Sequence, residues 1–129
     1  MKIENIKFKA KRLDNGEWIE GEISHFENTI WIVPIDHKPF HSGCAEVAPD
    51  TICMFTGLKD CDGKEIWEGD MLSNVTNDSP DGIVMFKYGA FSLLAKNGRD
   101  FCVALTYLMS EKESLNRFKV IGNKFDKEK

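Results

Sequence analysis

The first apolar stretch alternates strictly: in Ile6-Lys7-Phe8-Lys9-Ala10-Lys11 every second side chain is apolar and each one between is a lysine. A period of two fits a strand with one buried and one wet face, whereas a helix returns to the same face only every ~3.6 residues. Asp14-Asn15-Gly16-Glu17 follows, with the Asn-Gly pair that accepts the positive φ angles of a tight hairpin. Trp18-Ile19-Glu20-Gly21-Glu22-Ile23 resumes the strand, but Trp18 and Ile23 do not share parity, and Gly21 between them predicts a bulge. A third run, Thr29-Ile30-Trp31-Ile32-Val33, stops at Pro34, which has no N–H for a ladder.

Further strands are predicted over residues 51–55, 70–75, 82–88, 91–95 and 118–122. Turn chemistry separates them, notably Asp62-Gly63, residues 77–82 and Asn97-Gly98. Only residues 104–116, ALTYLMSEKESLN, admit a helix, through Leu105, Leu108, Met109 and Leu115, and the polar half from Ser110 reads equally well as a loop. Many short strands with little helix predict a mainly β chain built as a small barrel or paired sheets.

At 129 residues the chain suits one domain or two small lobes, and it buries enough surface to fold without a metal or disulfide. Its net charge of −4 repels a phosphate backbone on average, so nucleic-acid binding requires a segregated basic face. The N-terminus shows no signal-peptide pattern and no segment reaches membrane-spanning length, so the expected location is cytoplasmic, without membrane contact. Cys44, Cys53, Cys61 and Cys102 are then expected as thiols, and they lack the paired C-x-x-C spacing of zinc ribbons and redox motifs. Residues 34–50 hold three of the four prolines and two of the three histidines, which marks a connector between lobes.

The stretch with most resemblance to chemistry is residues 56–70, TGLKDCDGKEIWEGD. Asp60-x-Asp62-Gly63-x-Glu65 resembles the start of a calcium loop, but the glycine comes too early and the twelfth position from Asp60 is Met71 instead of an acid. A paired-carboxylate hydrolase would draw on Glu65, Glu68 or Asp70, yet nothing in the sequence gives two of them different environments. The architectural reading is a hairpin at Asp62-Gly63, anchored by Ile66 and Trp67 and followed by a sharp turn at Gly69 into a strand from Asp70.

Other constellations are thinner. His37, His41 and Cys44, with Cys53 as a fourth ligand, have donor types suited to zinc but no second closely spaced pair. The same His and Cys44 residues would be needed for a thiol nucleophile, without a third group to orient them. Lys7, Lys9, Lys11 and Arg12, with Arg117, Lys119 and Lys124, are the basic candidates for nucleic acid, and Phe86, Tyr88 and Phe91 the stacking ones. Residues 1–25 balance five basic against five acidic groups, and edge-strand lysines also guard against aggregation.

The block from Val47-Ala48-Pro49-Asp50-Thr51-Ile52 through Thr56-Gly57-Leu58-Lys59-Asp60 to Asp62-Gly63-Lys64-Glu65-Ile66-Trp67-Glu68-Gly69-Asp70 resembles the signature of the YopX family of phage and prophage proteins. The opening strand with Trp18 and the closing Val120-Ile121-Gly122-Asn123 resemble that family's two ends. Cys61 stands where the family usually has a polar residue, Trp67 where it usually has tyrosine, and the tail lacks the usual Asn-Pro ending.

The resemblance implies an N-terminal β meander with its Pro-rich connector over residues 1–46 and an SH3-like barrel over residues 47–129. It implies a structural role for Thr56, Gly57, Leu58, Asp60, Asp62, Gly63, Glu65, Ile66, Trp67, Gly69, Asp70, Gly122 and Asn123, and brings no activity, cofactor or metal with it. The resulting expectation is a phage- or prophage-encoded accessory protein in the host cytoplasm. It is read as a non-catalytic module that binds another protein or itself, with nucleic-acid binding as the alternative and a metal-dependent enzyme behind both.

Overall fold

The computed structural model is mainly β and describes residues 5–34, 43–75, 82–87, 89–95, 102–108, 114–115 and 117–126. It divides into two compact units, Met1–Phe55 and Thr56–Lys129. Among the described residues no helix is long and apolar enough to cross a membrane.

The first unit contains β1 (Phe8–Lys11), β2 (Trp18–Phe26), β3 (Thr29–Val33), β4 (Ala45–Glu46), a 3₁₀ turn at Pro49–Thr51, and the start of β5 (Cys53–Asp60). Its strands lie in the order β5-β1-β2-β3-β4, each pair antiparallel. The path curls back at one bridge, Arg12 to Val47, flanked by Leu13 N–H to the Glu46 carbonyl (3.0 Å) and Ala48 N–H to the Lys11 carbonyl (2.9 Å). Val47 through Phe55 thus belong with the first strands, since Phe55 N–H also donates to the Lys7 carbonyl at 3.0 Å.

The alternation read in β1 places Ala10 inward with Ile32 and Val47, and Ile19, Ile23, Ile30 and Ile52 pack against them. Odd positions of β2 therefore face the core, and Trp18 falls on the other face, opposite Lys11 in the β1–β2 register. Gly21 is not a bulge, because the register runs unbroken from Lys11–Trp18 to Phe8–Gly21. Its role is close approach: a Cβ there would lie 2.0 Å from the Val33 carbonyl oxygen. The Trp18 parity needs no bulge once its ring is placed outward.

The second unit contains the rest of β5, β6 (Glu65–Trp67), β7 (Asp70–Asn74), β8 (Gly82–Lys87), β9 (Ala90–Ala95), β10 (Cys102–Ala104), α1 (Leu105–Leu108), β11 (Ser114–Leu115) and β12 (Phe118–Asn123). One sheet runs β10-β9-β8-β7-β12, with all neighbours antiparallel. β6 pairs with β5, and β11 lies parallel to it through Ser114–Lys59 and Leu115–Asp60. The strand path of this unit forms no closed barrel among the described residues.

Inward residues at period two (Leu72, Val84, Leu93, Phe118 and Val120) meet Leu58, Ile66, Leu105 and Leu115 in a single core. Each such buried side chain contributes roughly 1.5–3 kcal/mol relative to exposure. The 104–116 window proves composite. Leu105 and Leu108, three apart, face this core from one helical turn, while Leu115 reaches it from a strand. The hairpin expected at Asn97-Gly98 lies outside the described residues.

Gly21→Ala is expected to destabilise the protein by about 3 kcal/mol or more, because a methyl group has to displace backbone instead of a flexible side chain. Chemical denaturation followed by intrinsic fluorescence checks this, and an unchanged midpoint contradicts the close approach.

Candidate functional site

Residues 56–70 form a compact unit in which the acids are consumed by the backbone. The Thr56 hydroxyl donates to the Ile66 carbonyl (2.7 Å) and accepts Leu58 N–H (3.1 Å), which ties β5 to β6 beside Gly57. Asp60, 2% exposed, accepts Asp62 N–H (2.8 Å) and Lys64 N–H (2.9 Å) on Oδ1, and Val120 N–H (2.9 Å) on Oδ2. The first two bonds shape the hairpin at Asp62-Gly63, where Gly63 has φ 81°, and the third holds the middle of β12. Hydrogen bonds to a carboxylate are about twice as strong as neutral ones.

Asp70, also 2% exposed, repeats the pattern one turn on. Its Oδ2 accepts Trp67 N–H (2.7 Å), and its Oδ1 accepts the Asn123 side-chain amide (2.9 Å). The same amide donates to the Glu68 carbonyl at 3.2 Å, while Asn123 Oδ1 accepts Phe125 N–H at 3.0 Å. Asn123 N–H donates to Asp126 Oδ2 (2.9 Å), and Lys124 N–H to the Gly69 carbonyl (2.9 Å). Gly69 sits at φ 88° with its missing Cβ 3.1 Å from Asn123 Nδ2 and 3.3 Å from Oδ1. Ile66 and Trp67 are buried between the two turns, and Gly122 lies beside the register shift after Val120 that leaves Ile121 53% exposed.

These bonds occupy oxygens that the calcium-site and acid-pair readings of the block would draw on. A cation needs oxygen lone pairs, but both Asp60 oxygens already point at N–H groups, and the exposed Asp62 carboxylate lies 4.0 Å from Lys119. Asp70, the buried member of the proposed acid pair, has an N–H on each oxygen. Among the described residues no cluster of three or more His, Cys, Asp or Glu is placed to hold a metal. His37 and His41 lie outside the described residues, Cys44 is half-buried, and Cys53 is buried with its thiol donating to the Thr51 carbonyl (3.4 Å).

The lysine stripe of β1 is engaged with aromatic rings. Lys9 and Lys11 ammonium groups lie 4.6 and 4.5 Å from the Trp18 ring centroid, and Lys7 lies 4.8 Å from that of Phe55 and 3.8 Å from Glu20. Attraction of a cation to a ring quadrupole explains why tryptophan faces outward here. In the same unit a cleft of about 340 Å³ is lined by Arg12, Leu13, Asp14, Trp31, Cys44, Ala45 and Glu46. Nothing in the sequence pattern singled it out, since its walls come from three separate stretches brought together by the Arg12–Val47 bridge.

The family model described as YopX protein matches residues 7–128, nearly the whole chain. The chain belongs to the YopX family. No curated protein matches it.

Against the family pattern, Cys61 is exposed and its N–H donates to the Phe118 carbonyl (3.0 Å), a backbone role open to any residue. Desolvation, then the negative charges of Asp62 and Asp60, push its thiol above the usual range, which makes it a poor nucleophile at neutral pH. Trp67 is buried. The tail, as far as Asp126, is folded back on Asn123 and Gly69.

Asp60→Asn is expected to cost about 1–3 kcal/mol, because an amide NH₂ has to face an N–H that the carboxylate had accepted. Thermal melting checks it, and an unchanged melting temperature contradicts the bonding pattern. Gly69→Val is expected to lower the melting temperature at least as far, through positive-φ strain and displacement of Asn123.

Proposed function

We propose that this YopX-family chain is a phage- or prophage-encoded accessory protein acting in the host cytoplasm as a non-catalytic binding module, either on another protein or by self-association. The observation that carries this reading is the use of the Asp60 and Asp70 carboxylates as acceptors for backbone and amide N–H groups. The most chemistry-like block of the sequence is thereby accounted for as architecture. The second unit, read as an open small barrel of SH3-like type, would serve as the scaffold, with recognition on loops and edges.

Exposed apolar groups supply contact surface: Leu13 and Phe26 in the first unit, Val75, Phe86 and Ile121 in the second. Nucleic-acid binding is the weaker reading. Three of its expected basic groups, Lys7, Lys9 and Lys11, lie against aromatic rings, and Lys119 lies 4.0 Å from Asp62.

Light scattering on the purified chain, together with affinity capture from infected host cells and reconstitution of any captured pair, tests the proposal. The expected result is a stable oligomer or a reconstituted protein complex that persists at moderate salt. A strict monomer with no reconstitutable protein partner, or a mobility shift of DNA or RNA that weakens steeply with salt, overturns it.

A further inference from the structure

The cleft of the first unit contrasts with the lysine stripe of β1. Two half-buried tryptophans occupy this unit, Trp18 and Trp31. Trp18 has two ammonium groups of its own chain over its ring. Among the described residues Trp31 has none, and Glu46 stands directly opposite it in the β3–β4 register. Side chains directly opposite in an antiparallel pair project from the same face about 5 Å apart.

Among the described residues the polar groups around Trp31 are already assigned in a way that leaves the Glu46 side chain without a donor. The Trp31 indole N–H donates to the Thr29 hydroxyl (2.9 Å), which donates onward to the Phe26 carbonyl (2.6 Å). The indole ring is thus fixed in orientation, and its N–H is unavailable to the carboxylate. Arg12 forks onto Asp14, Nε to Oδ1 at 2.9 Å and Nη2 to Oδ2 at 2.8 Å. Asp14 raises the Arg12 pKa and is itself lowered by Arg12, so this pair neutralises itself. Among the described residues the half-buried Glu46 carboxylate accepts no hydrogen bond and makes no ion pair. Among the described residues the cleft therefore carries one negative charge without a counter-charge, beside an oriented aromatic wall, with Leu13, 57% exposed, in its lining.

We infer that this cleft binds an alkylammonium group, the side chain of a lysine presented by a protein partner, with Glu46 as counter-ion, Trp31 as the ring under the cation and Leu13 against the alkyl stem. A ring face plus one carboxylate attracts a compact ammonium, and the cleft volume suits one extended side chain. An anionic or purely apolar ligand leaves the Glu46 charge buried without compensation.

The test is titration of the folded full chain with Nα-acetyl-lysine methylamide, and with its neutral Nε-acetylated counterpart, at constant ionic strength. The readout is the Trp31 indole N–H resonance, assigned with a Trp31→Phe variant. The expected result is a saturable shift of that resonance by the cationic probe alone, weakened at least fivefold by Glu46→Gln. Among the described residues the Glu46 side chain makes no hydrogen bond or ion pair, and its backbone bonds survive the substitution, so Glu46→Gln is expected to keep the wild-type melting temperature and serves as its own folding control. Equal binding of the neutral probe, an unaffected Trp31 resonance, or undiminished binding in Glu46→Gln overturns the inference. It rests on the interaction-module reading, so association state is measured on the same sample. A cleft indifferent to the cation while association persists overturns the cleft alone, and cation binding by a chain that never associates with protein overturns the module reading alone.

Discussion

The closing strand of the second unit is held in place by two buried carboxylates donated from one short stretch of sequence. Asp60 takes the N–H of Val120 in the middle of β12, and Asp70 takes the side-chain amide of Asn123 at its end. Both carboxylates are nearly solvent-free, so each bond is made at low dielectric, where losing the partner costs the full desolvation of a charged group. The arrangement also gives β12 its register. A slip by one residue would place Val120 N–H and Asn123 out of reach of their acceptors while turning Phe118 and Val120 outward.

This dependence gives a structural use to a stretch so rich in acids and glycines. Gly69 leaves space against Asn123, Asp60 and Asp70 supply acceptors, and Ile66 and Trp67 anchor the two turns. Asp60 and Asp70, besides their bonds within the block, each reach a residue more than 50 positions later in the chain, Val120 and Asn123. A polar network of this kind has high stakes, because a substitution that removes one partner leaves a buried group unpaired.

Strand content and hairpin positions were legible because period two and turn dipeptides are local signals. β3 appears over the apolar run that ends at Pro34, and the Asp62-Gly63 turn sits where its dipeptide predicts. What was not legible was tertiary. Trp18 breaks the apolar alternation because Lys9 and Lys11 cover its ring on the outer face, a fact about neighbouring strands that no window over β2 contains. Gly21 reads as a bulge from its own strand and as a close approach only once the Val33 carbonyl is placed over it. The 104–116 window mixes a helical turn with a parallel strand, because Leu105 and Leu115 satisfy one core from different elements. Asn123 gave little local sign, since its amide, besides accepting Phe125 N–H, donates to Asp70 and the Glu68 carbonyl more than fifty residues away.

The contrast between the two outward-facing tryptophans follows from the same separation of local and tertiary signals. In sequence, Trp18 and Trp31 are both aromatic residues of amphipathic strands. Pairing with β1 places Trp18 opposite Lys11 and next to Lys9, so the attraction between ring and cation is satisfied within the chain. Pairing with β4 places Trp31 opposite Glu46, and a carboxylate beside an aromatic ring neutralises nothing. Among the described residues, strand order alone thus converts two similar residues into one surface whose ring is matched by cations and one that stands beside a carboxylate without a counter-charge. A protein whose recognisable block is spent on holding its own strands would then recognise a partner at this second place, where the pairing leaves an interaction unmade.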